Sequence, residues 1–204
     1  MMGYYIVNST RVREHLIQKS KTFAKKHKYG VMRACSNMKI LNVKSYEERQ
    51  IDFLYYEKYM DVDRKHDGLL LYNMLIQANY SVERVGYMGK AEGAHGYNLS
   101  SMKKIANNSK FVIYFSFWDT GAIALKEIQN IGVYTFSVQK DLIHDKTGLF
   151  VDELDWNVEK AFKIIDNHVK LISNNLDTVE IARMNQYENS CARSLEDLCN
   201  VVYN

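Results

Sequence analysis

Short apolar segments of strand composition alternate along this chain with longer segments of helical period. This alternation predicts an α/β fold in which a Rossmann-like parallel sheet carries helices on both faces. The segment 111–116 is the clearest strand, because nearly continuous β-branched and aromatic residues are typical of a strand buried on both faces. The predicted strands are 4–7, 51–56, 80–86, 111–116 and 131–136, and a final strand is predicted directly after a loop at 146–148.

Amphipathic helices are predicted between and after these strands. The predicted helices are 11–27, 67–78, 99–108, 120–129, 155–173 and 175–203. The candidate N-caps are Asn98 or Ser100 for the third helix, Asp119 or Thr120 for the fourth and Asp155 for the fifth. Asn189 and Ser190 mark a break within the last helix.

One domain covering 1–204 is predicted for the whole chain. Its 204 residues include 47% hydrophobic and 25% charged residues, which supply both a core and a polar surface. There is no internal repeat and no linker rich in Gly, Ser or Pro. We divide the chain into a basic N-terminal segment (about 1–50), a core (51–173) and a C-terminal helix (174–204).

The positive charge is concentrated in the first quarter of the chain. Residues 1–50 contain 11 Lys and Arg against three Glu, whereas the whole chain carries only +3. The favoured interpretation is a helix that packs on the sheet and exposes a basic face to solvent. The alternatives are contact with an anionic membrane or an acceptor and, least favoured, contact with nucleic acid.

The N-terminus and the cysteines predict a cytoplasmic protein. Charged residues follow Met1 almost at once, which is unlike a secretory signal, and no apolar run is long enough to span a membrane. The three cysteines are odd in number, and Cys191 and Cys199 are too far apart along a helix for a disulfide.

Several common catalytic and cofactor motifs are missing from the sequence. There is no serine nucleophile elbow, no P-loop and no G-x-G-x-x-G fingerprint, which argues against hydrolase, P-loop and NAD-binding classes. No His, Cys or carboxylate pair has metal-ligand spacing, so we expect no bound metal.

The segment 109–155 contains the residue pattern that best predicts a binding site. The loop 117–121 follows a buried strand, and in open α/β sheets ligands bind beyond the carboxyl ends of the strands. A predicted helix start at Thr120 would favour an anion, and Gly121 would let a phosphate approach the backbone. Glu127 lies seven residues further on, about 10.5 Å along the same helix face. A ligand with a diphosphate and a ribose would be held at both ends, because a carboxylate accepts hydrogen bonds from adjacent hydroxyls.

This segment resembles the E-x7-E region of retaining GT-B glycosyltransferases. The resemblance rests on Asp119-x7-Glu127, on 131–135 and on 146–151. In that family the C-terminal lobe binds the nucleotide-sugar donor, the first acidic residue faces the sugar, and the second binds the ribose. The resemblance therefore implies a catalytic, sugar-positioning role for Asp119, which replaces a longer Glu, and ribose binding by Glu127.

Further segments resemble the diphosphate-binding parts of the same lobe. Lys58 and Lys65 stand where the family has its two basic phosphate ligands, and Gly86 where it has a glycine turn after the second strand. Together with Thr120 and Gly121, these residues are the implied diphosphate-binding set. In that family this electrostatic stabilisation of the departing diphosphate needs no metal. The resemblance therefore implies no cofactor, with the nucleotide-sugar as a co-substrate.

The resemblance covers only one lobe, from about residue 50 to 170. It predicts a glycosyltransferase, or its donor-binding lobe, that transfers a sugar to an acceptor the sequence does not identify. The acceptor lobe has no counterpart here, so one alternative is that another subunit or a second copy of the chain supplies it. The other is a non-catalytic nucleotide-binding or scaffold module with a degenerate lobe.

Overall fold

A computed structural model describes residues 3–7, 10–21, 27–32, 35–36, 42–57, 65–86, 95–96, 99–116, 122–138, 146–151 and 157–203. The strands are β1 (Gly3–Val7), β2 (His27–Val31), β3 (Ile51–Glu57), β4 (Val82–Gly86), β5 (His95–Gly96), β6 (Ser109–Phe115), β7 (Tyr134–Ser137) and β8 (Gly148–Phe150). The helices are α1 (Thr10–Lys19), α2 (Lys65–Gln77), α3 (Leu99–Asn107), α4 (Ile123–Gln129), α5 (Val158–Ile172), α6 (Thr178–Glu188) and α7 (Cys191–Tyr203).

The central element is a parallel six-stranded sheet in the order β5-β4-β3-β6-β7-β8. The chain adds β4 and β5 on one side of β3, then returns to β6 and adds β7 and β8 on the other side. The order therefore reverses between β3 and β6, and such a switch point opens a crevice at the carboxyl ends of the strands. A separate parallel pair is formed by β1 and β2.

Both faces of the central sheet are covered by helices, as the sequence predicts. On the first face, the aromatic side chains of Phe53 and Tyr55 pack in one cluster with residues of α2 and α5. On the second face, Leu54 and Tyr56 pack with residues of α3 and α4. This two-sided burial confirms the Rossmann-like α/β fold, and it explains why the central strands lack an alternating apolar and polar pattern.

Two strands of the structure were not expected from the sequence. The predicted helix at 11–27 is wrong at its end, because α1 ends at Lys19 and His27 begins β2. The strand is stabilised by parallel pairing with β1, a non-local interaction that helical periodicity does not register. The two-residue strand β5, within a glycine-rich segment, is too short to leave a pattern.

The helix starts also differ from their predicted caps. The fourth predicted helix is α4, and its N-cap is Ala122 rather than Asp119 or Thr120. The fifth is α5, which is capped by Asn157 rather than Asp155; the Asn157 side chain accepts a hydrogen bond from the amide of Lys160. The predicted break in the last helix is confirmed, since α6 ends at Glu188 and α7 begins at Cys191.

Buried amide groups hold the end of α4 against α6. Asn185 donates a hydrogen bond to the carbonyl of Gln129 (3.0 Å), and its own side-chain oxygen accepts one from the hydroxyl of Thr147 (2.9 Å). Hydrogen bonds of this kind fix orientation because a buried amide without a partner is costly. They therefore position α4, the helix that carries Glu127.

A stacked pair of rings between β7 and α5 predicts a pH dependence of stability. His168 stacks on Tyr134, and its Nε2 lies 2.9 Å from the tyrosine hydroxyl. Burial lowers the pKa of His168 below its ordinary 6.5, and it raises the pKa of Tyr134 to about 12. The unfolded chain thus protonates His168 at a higher pH than the folded chain does, so this contribution to stability is complete above about pH 6.5 and is lost as the pH falls.

We expect the free energy of unfolding to fall between about pH 7 and pH 5 more steeply in the wild-type chain than in a His168→Gln variant. Urea unfolding of both proteins across that range measures the difference. The two proteins differ only at residue 168, so the difference between their pH profiles reports on His168. Parallel pH profiles for the two proteins would contradict the prediction.

Candidate functional site

The switch point brings the ends of β3 and β6 side by side. Glu57, the last residue of β3, is paired with Phe115, the last residue of β6, and Ser116 follows directly. Gly86 ends β4 and is paired with Glu57 on one side and with Gly96 on the other. The edge of the sheet beside this crevice is therefore the expected place for a ligand.

The sequence-predicted site residues divide into two groups. Lys58, Asp119, Thr120 and Gly121 lie outside the described residues, so their roles stay predictions. The described members are Lys65, Gly86 and Glu127.

The three described members come from elements that meet this edge of the sheet. Lys65 is the first residue of α2, the helix that follows β3. Gly86 is buried within β4 instead of in the turn after it. Glu127 lies on α4, the helix that follows β6.

Glu127 presents a carboxylate oxygen that has no hydrogen-bond partner within the described part of the chain. Its Oε2 is buried, and no described residue donates to it. Burial raises the pKa of Glu127, and the nearby ammonium group of Lys103 on α3 acts in the opposite direction. A desolvated acceptor in this position can receive a hydrogen bond from a hydroxyl group of a ligand.

The start of α4 differs from the geometry expected from the sequence. Ala122 adopts a left-handed conformation (φ 42°, ψ 37°), which is unfavourable for a residue with a Cβ and cannot continue a right-handed helix. The helix therefore begins at Ile123, and Glu127 is only about 6 Å along the axis from the helix start. The predicted helix start at Thr120 is wrong, so the 10.5 Å expected from it does not apply to the start of α4.

A buried ion pair at the switch point was missed by the sequence reasoning. Glu57 has no exposed surface, and its Oε2 accepts a 2.9 Å hydrogen bond from Nη2 of Arg84, whose side chain is also buried. The guanidinium group of Arg84 lies 5.1 Å from the ring centre of Tyr72 on α2. The other carboxylate oxygen, Oε1, is buried without a partner among the described residues. The available signal was an acidic residue directly after the apolar run 53–56.

Ser116 is a second polar group missed at this edge. Its side chain is 1% exposed, and its hydroxyl has no partner among the described residues. Buried polar atoms are nearly always hydrogen-bonded, so each exception requires an explanation. Three such oxygens, on Glu57, Ser116 and Glu127, belong to elements that border the crevice.

Neither a cation site nor a membrane-spanning helix is found in the part of the chain that the structure describes. No group of three or more His, Cys, Asp or Glu side chains there has the arrangement of a metal site. None of the helices there combines the length and apolar character that crossing a bilayer requires.

Solved glycosyltransferase structures share this fold. The pneumococcal O-GlcNAc transferase GtfA, solved with UDP and GlcNAc, is 12% identical with a TM-score of 0.64, and the match covers 98% of this chain and 44% of that chain. Sucrose-phosphate synthase from Thermosynechococcus elongatus is 11% identical with a TM-score of 0.65, covering 98% and 57%. TarM is 14% identical with a TM-score of 0.58, covering 96% and 42%.

The chain therefore has a fold seen in GT-B glycosyltransferases, and it spans about half the length of the structures it matches. The resemblance to that class predicted from the sequence is confirmed at the level of the fold. No family model matches this sequence. No curated protein matches it either.

Proposed function

We propose that this chain is the donor-binding lobe of a glycosyltransferase, which binds a nucleotide-diphosphate sugar and takes part in transferring the sugar to an acceptor. The observation that carries the proposal is Glu127, whose buried carboxylate oxygen has no partner among the described residues. The fold shared with glycosyltransferases supports the same conclusion independently.

The ribose of the nucleotide is the ligand group that Glu127 fits best. A carboxylate accepts hydrogen bonds from two adjacent hydroxyls, and ribose presents two on neighbouring carbons. Burial strengthens such bonds because water competes less for the carboxylate. Lys103 favours the ionised form of Glu127, the form that only accepts hydrogen bonds.

The diphosphate would be bound by basic side chains that follow β3. In this proposal Lys58 and Lys65 neutralise the phosphates, and the backbone at Gly86, Thr120 and Gly121 lets them approach closely. Positive groups held near a departing diphosphate stabilise the charge that develops as the glycosidic bond breaks, and this requires no metal. Asp119 would position the hydroxyls of the transferred sugar.

The second candidate is a binding or scaffold module that performs no transfer by itself. It is compatible with the matches, which cover 44% of the GtfA chain and 42% of the TarM chain. In this case an acceptor lobe would come from a partner subunit or a second copy. One matching structure is the GtfA/B complex, which is compatible with a partner.

Thermal unfolding in the presence of UDP-, GDP-, ADP- and dTDP-sugars tests the proposal. We expect one nucleotide to stabilise the wild-type chain by about 2.7 kcal/mol at 100 times its dissociation constant. The Glu127→Ala variant should show little stabilisation at the same concentration, whereas Glu159→Gln, on an exposed position of α5, should behave as wild type. Stabilisation by none of these ligands would contradict the proposal.

Hydrolysis of the bound nucleotide-sugar separates the two candidates. A glycosyltransferase lobe that contains the reactive groups slowly releases free sugar with water as the acceptor. A binding module protects the ligand or leaves it unchanged. Release of sugar that depends on Asp119 would therefore exclude the scaffold alternative.

A further inference from the structure

We propose that Glu57 and Ser116 bind hydroxyl groups of the sugar carried by the nucleotide, on either side of the switch point. This inference rests on the proposed function and adds two specificity-determining residues to it. Its basis is that two polar atoms without partners among the described residues lie at the ends of the two strands that border the crevice.

Glu57 is held in one orientation that leaves a single oxygen available. Its Oε2 is engaged by Arg84, and Arg84 is in turn covered by the ring of Tyr72. The remaining oxygen belongs to the last residue of β3, and no described residue donates to it. A buried carboxylate oxygen without a donor destabilises the free chain, so a ligand that supplies a donor gains binding free energy at this position.

Ser116 extends the binding edge to the opposite face of the sheet. Glu57 continues the alternation of Phe53 and Tyr55 on the first face. In β6, Val112 and Tyr114 pack on the second face, so the same alternation continued by two residues places Ser116 on that face, which is covered by α3 and α4. A ligand in the crevice would therefore meet one acceptor from each side.

The chemistry of the two groups selects a neutral hydroxyl-bearing ligand. A carboxylate repels phosphate, and the charge of Arg84 is already directed to Glu57, so an anion is disfavoured at this point. A metal ion requires several oxygen ligands, and no such group occurs among the described residues. Hydroxyl groups of a ligand can donate hydrogen bonds to a carboxylate and can both donate to and accept from a serine. The ribose hydroxyls are already assigned to Glu127 in the proposed function. The remaining hydroxyls of a nucleotide-sugar belong to its sugar.

Calorimetric titration of matched ligand pairs tests this inference. The probes are UDP, GDP, ADP and dTDP, each compared with its glucose conjugate, and the proteins are the wild type, Glu57→Gln, Ser116→Ala and the control Glu159→Gln. We expect Glu57→Gln to weaken binding of the glucose conjugate at least tenfold and binding of the diphosphate less than twofold. Ser116→Ala should weaken the conjugate about threefold or more in the same selective way.

The free Ser116→Ala chain provides a second readout. Removing a buried hydroxyl to which no described residue is hydrogen-bonded should leave the melting temperature unchanged or raise it, although ligand binding weakens. This opposite response separates a ligand contact from a structural role, because loss of a structural role would lower both the melting temperature and the ligand affinity. It also keeps the inference testable if Glu57→Gln fails to fold.

The outcomes separate this inference from the function on which it rests. A wild-type chain that binds neither member of any pair overturns the proposed function and this inference together. A wild-type chain that binds a diphosphate no more weakly than its glucose conjugate overturns the inference alone. Equal weakening of both pair members in the variants, or no weakening of either, also overturns the inference alone.

Discussion

Replacing Arg49 with methionine is expected to lower the free energy of unfolding by about 3–5 kcal/mol. The side chain is 2% exposed and binds three backbone carbonyls instead of a carboxylate. Nη1 donates to Ser109 (2.7 Å), Nη2 donates to Ile131 (2.8 Å) and to Lys44 (3.2 Å), and Nε also donates to Lys44 (3.2 Å). Burial lowers the pKa of Arg49 to about 10, so the group remains charged at neutral pH.

The large effect follows from what the substitution leaves behind. Methionine fills much of the volume but donates nothing, and a buried carbonyl that loses a side-chain donor costs about 1–3 kcal/mol. The carbonyls of Ser109 and Ile131 carry this cost, because the carbonyl of Lys44 keeps a hydrogen bond from the hydroxyl of Thr178 (2.7 Å). Arg49 also joins the segment before β3 to the beginning of β6 and to the turn before β7, so the loss affects three parts of the sheet.

Equilibrium unfolding in urea measures this prediction. The control is Arg183→Met, because Arg183 is mostly exposed and forms an ion pair with Glu180 one turn away on α6. The free energy of unfolding of this control is expected to stay within about 0.5 kcal/mol of the wild-type value. An Arg49→Met variant as stable as Arg183→Met would contradict the structural role assigned to Arg49.

Replacing Gly132 with alanine is expected to lower the free energy of unfolding by about 3 kcal/mol, the second large effect. Gly132 has a φ of +80°, a conformation that residues with a Cβ rarely adopt. An added Cβ would overlap the carbonyl oxygen of Thr178 and lie 3.1 Å from the Cβ of Ala182. Because the obstacle is the backbone of α6, the overlap can be relieved only by moving that helix away from the turn.

Urea unfolding again provides the measurement, with Asn79→Gly as the converse change. Asn79 is exposed and has a φ of +63°, so glycine there removes an unfavourable conformation without creating an overlap. We expect Asn79→Gly to change stability by less than about 1 kcal/mol. If Gly132→Ala also changed the free energy of unfolding by less than about 1 kcal/mol, the close approach of α6 to this turn would be contradicted.

Elements with a strong local pattern were predicted correctly from the sequence. The strand at 111–116 is β6, whose buried residues satisfy the expectation for a strand covered on both faces. The break between α6 and α7 was marked by Asn189, the residue that caps α6. Local composition decides these features, because burial and helix termination depend on nearby residues.

Features that depend on distant pairing were not predictable. Glu57 and Arg84 are 27 residues apart and meet only because the register of β3 and β4 places Tyr55 opposite Arg84. Likewise, β2 exists through its pairing with β1, and its own residues also suit a helix end. The left-handed Ala122 is a tertiary effect as well, because alanine has no local preference for that conformation.

The candidate site was predicted in outline and only partly described by the structure. Glu127 was identified from its spacing to Asp119, and the structure gives it a partly buried position with one carboxylate oxygen that no described residue contacts by a hydrogen bond. The diphosphate ligands and Asp119 remain predictions. Glu57 and Ser116 could not be recognised from the sequence, because burial without a hydrogen-bond partner is a property of the folded chain.

The binding of ribonucleotides against their 2′-deoxy analogues tests the central claim most directly. If Glu127 holds the ribose hydroxyls, the wild-type chain binds the ribonucleoside diphosphate about tenfold or more tightly than the 2′-deoxy compound with the same base. The preference should vanish in Glu127→Gln and persist in Glu159→Gln. Equal binding of both compounds by the wild-type chain, or the same preference in Glu127→Gln, would contradict the account.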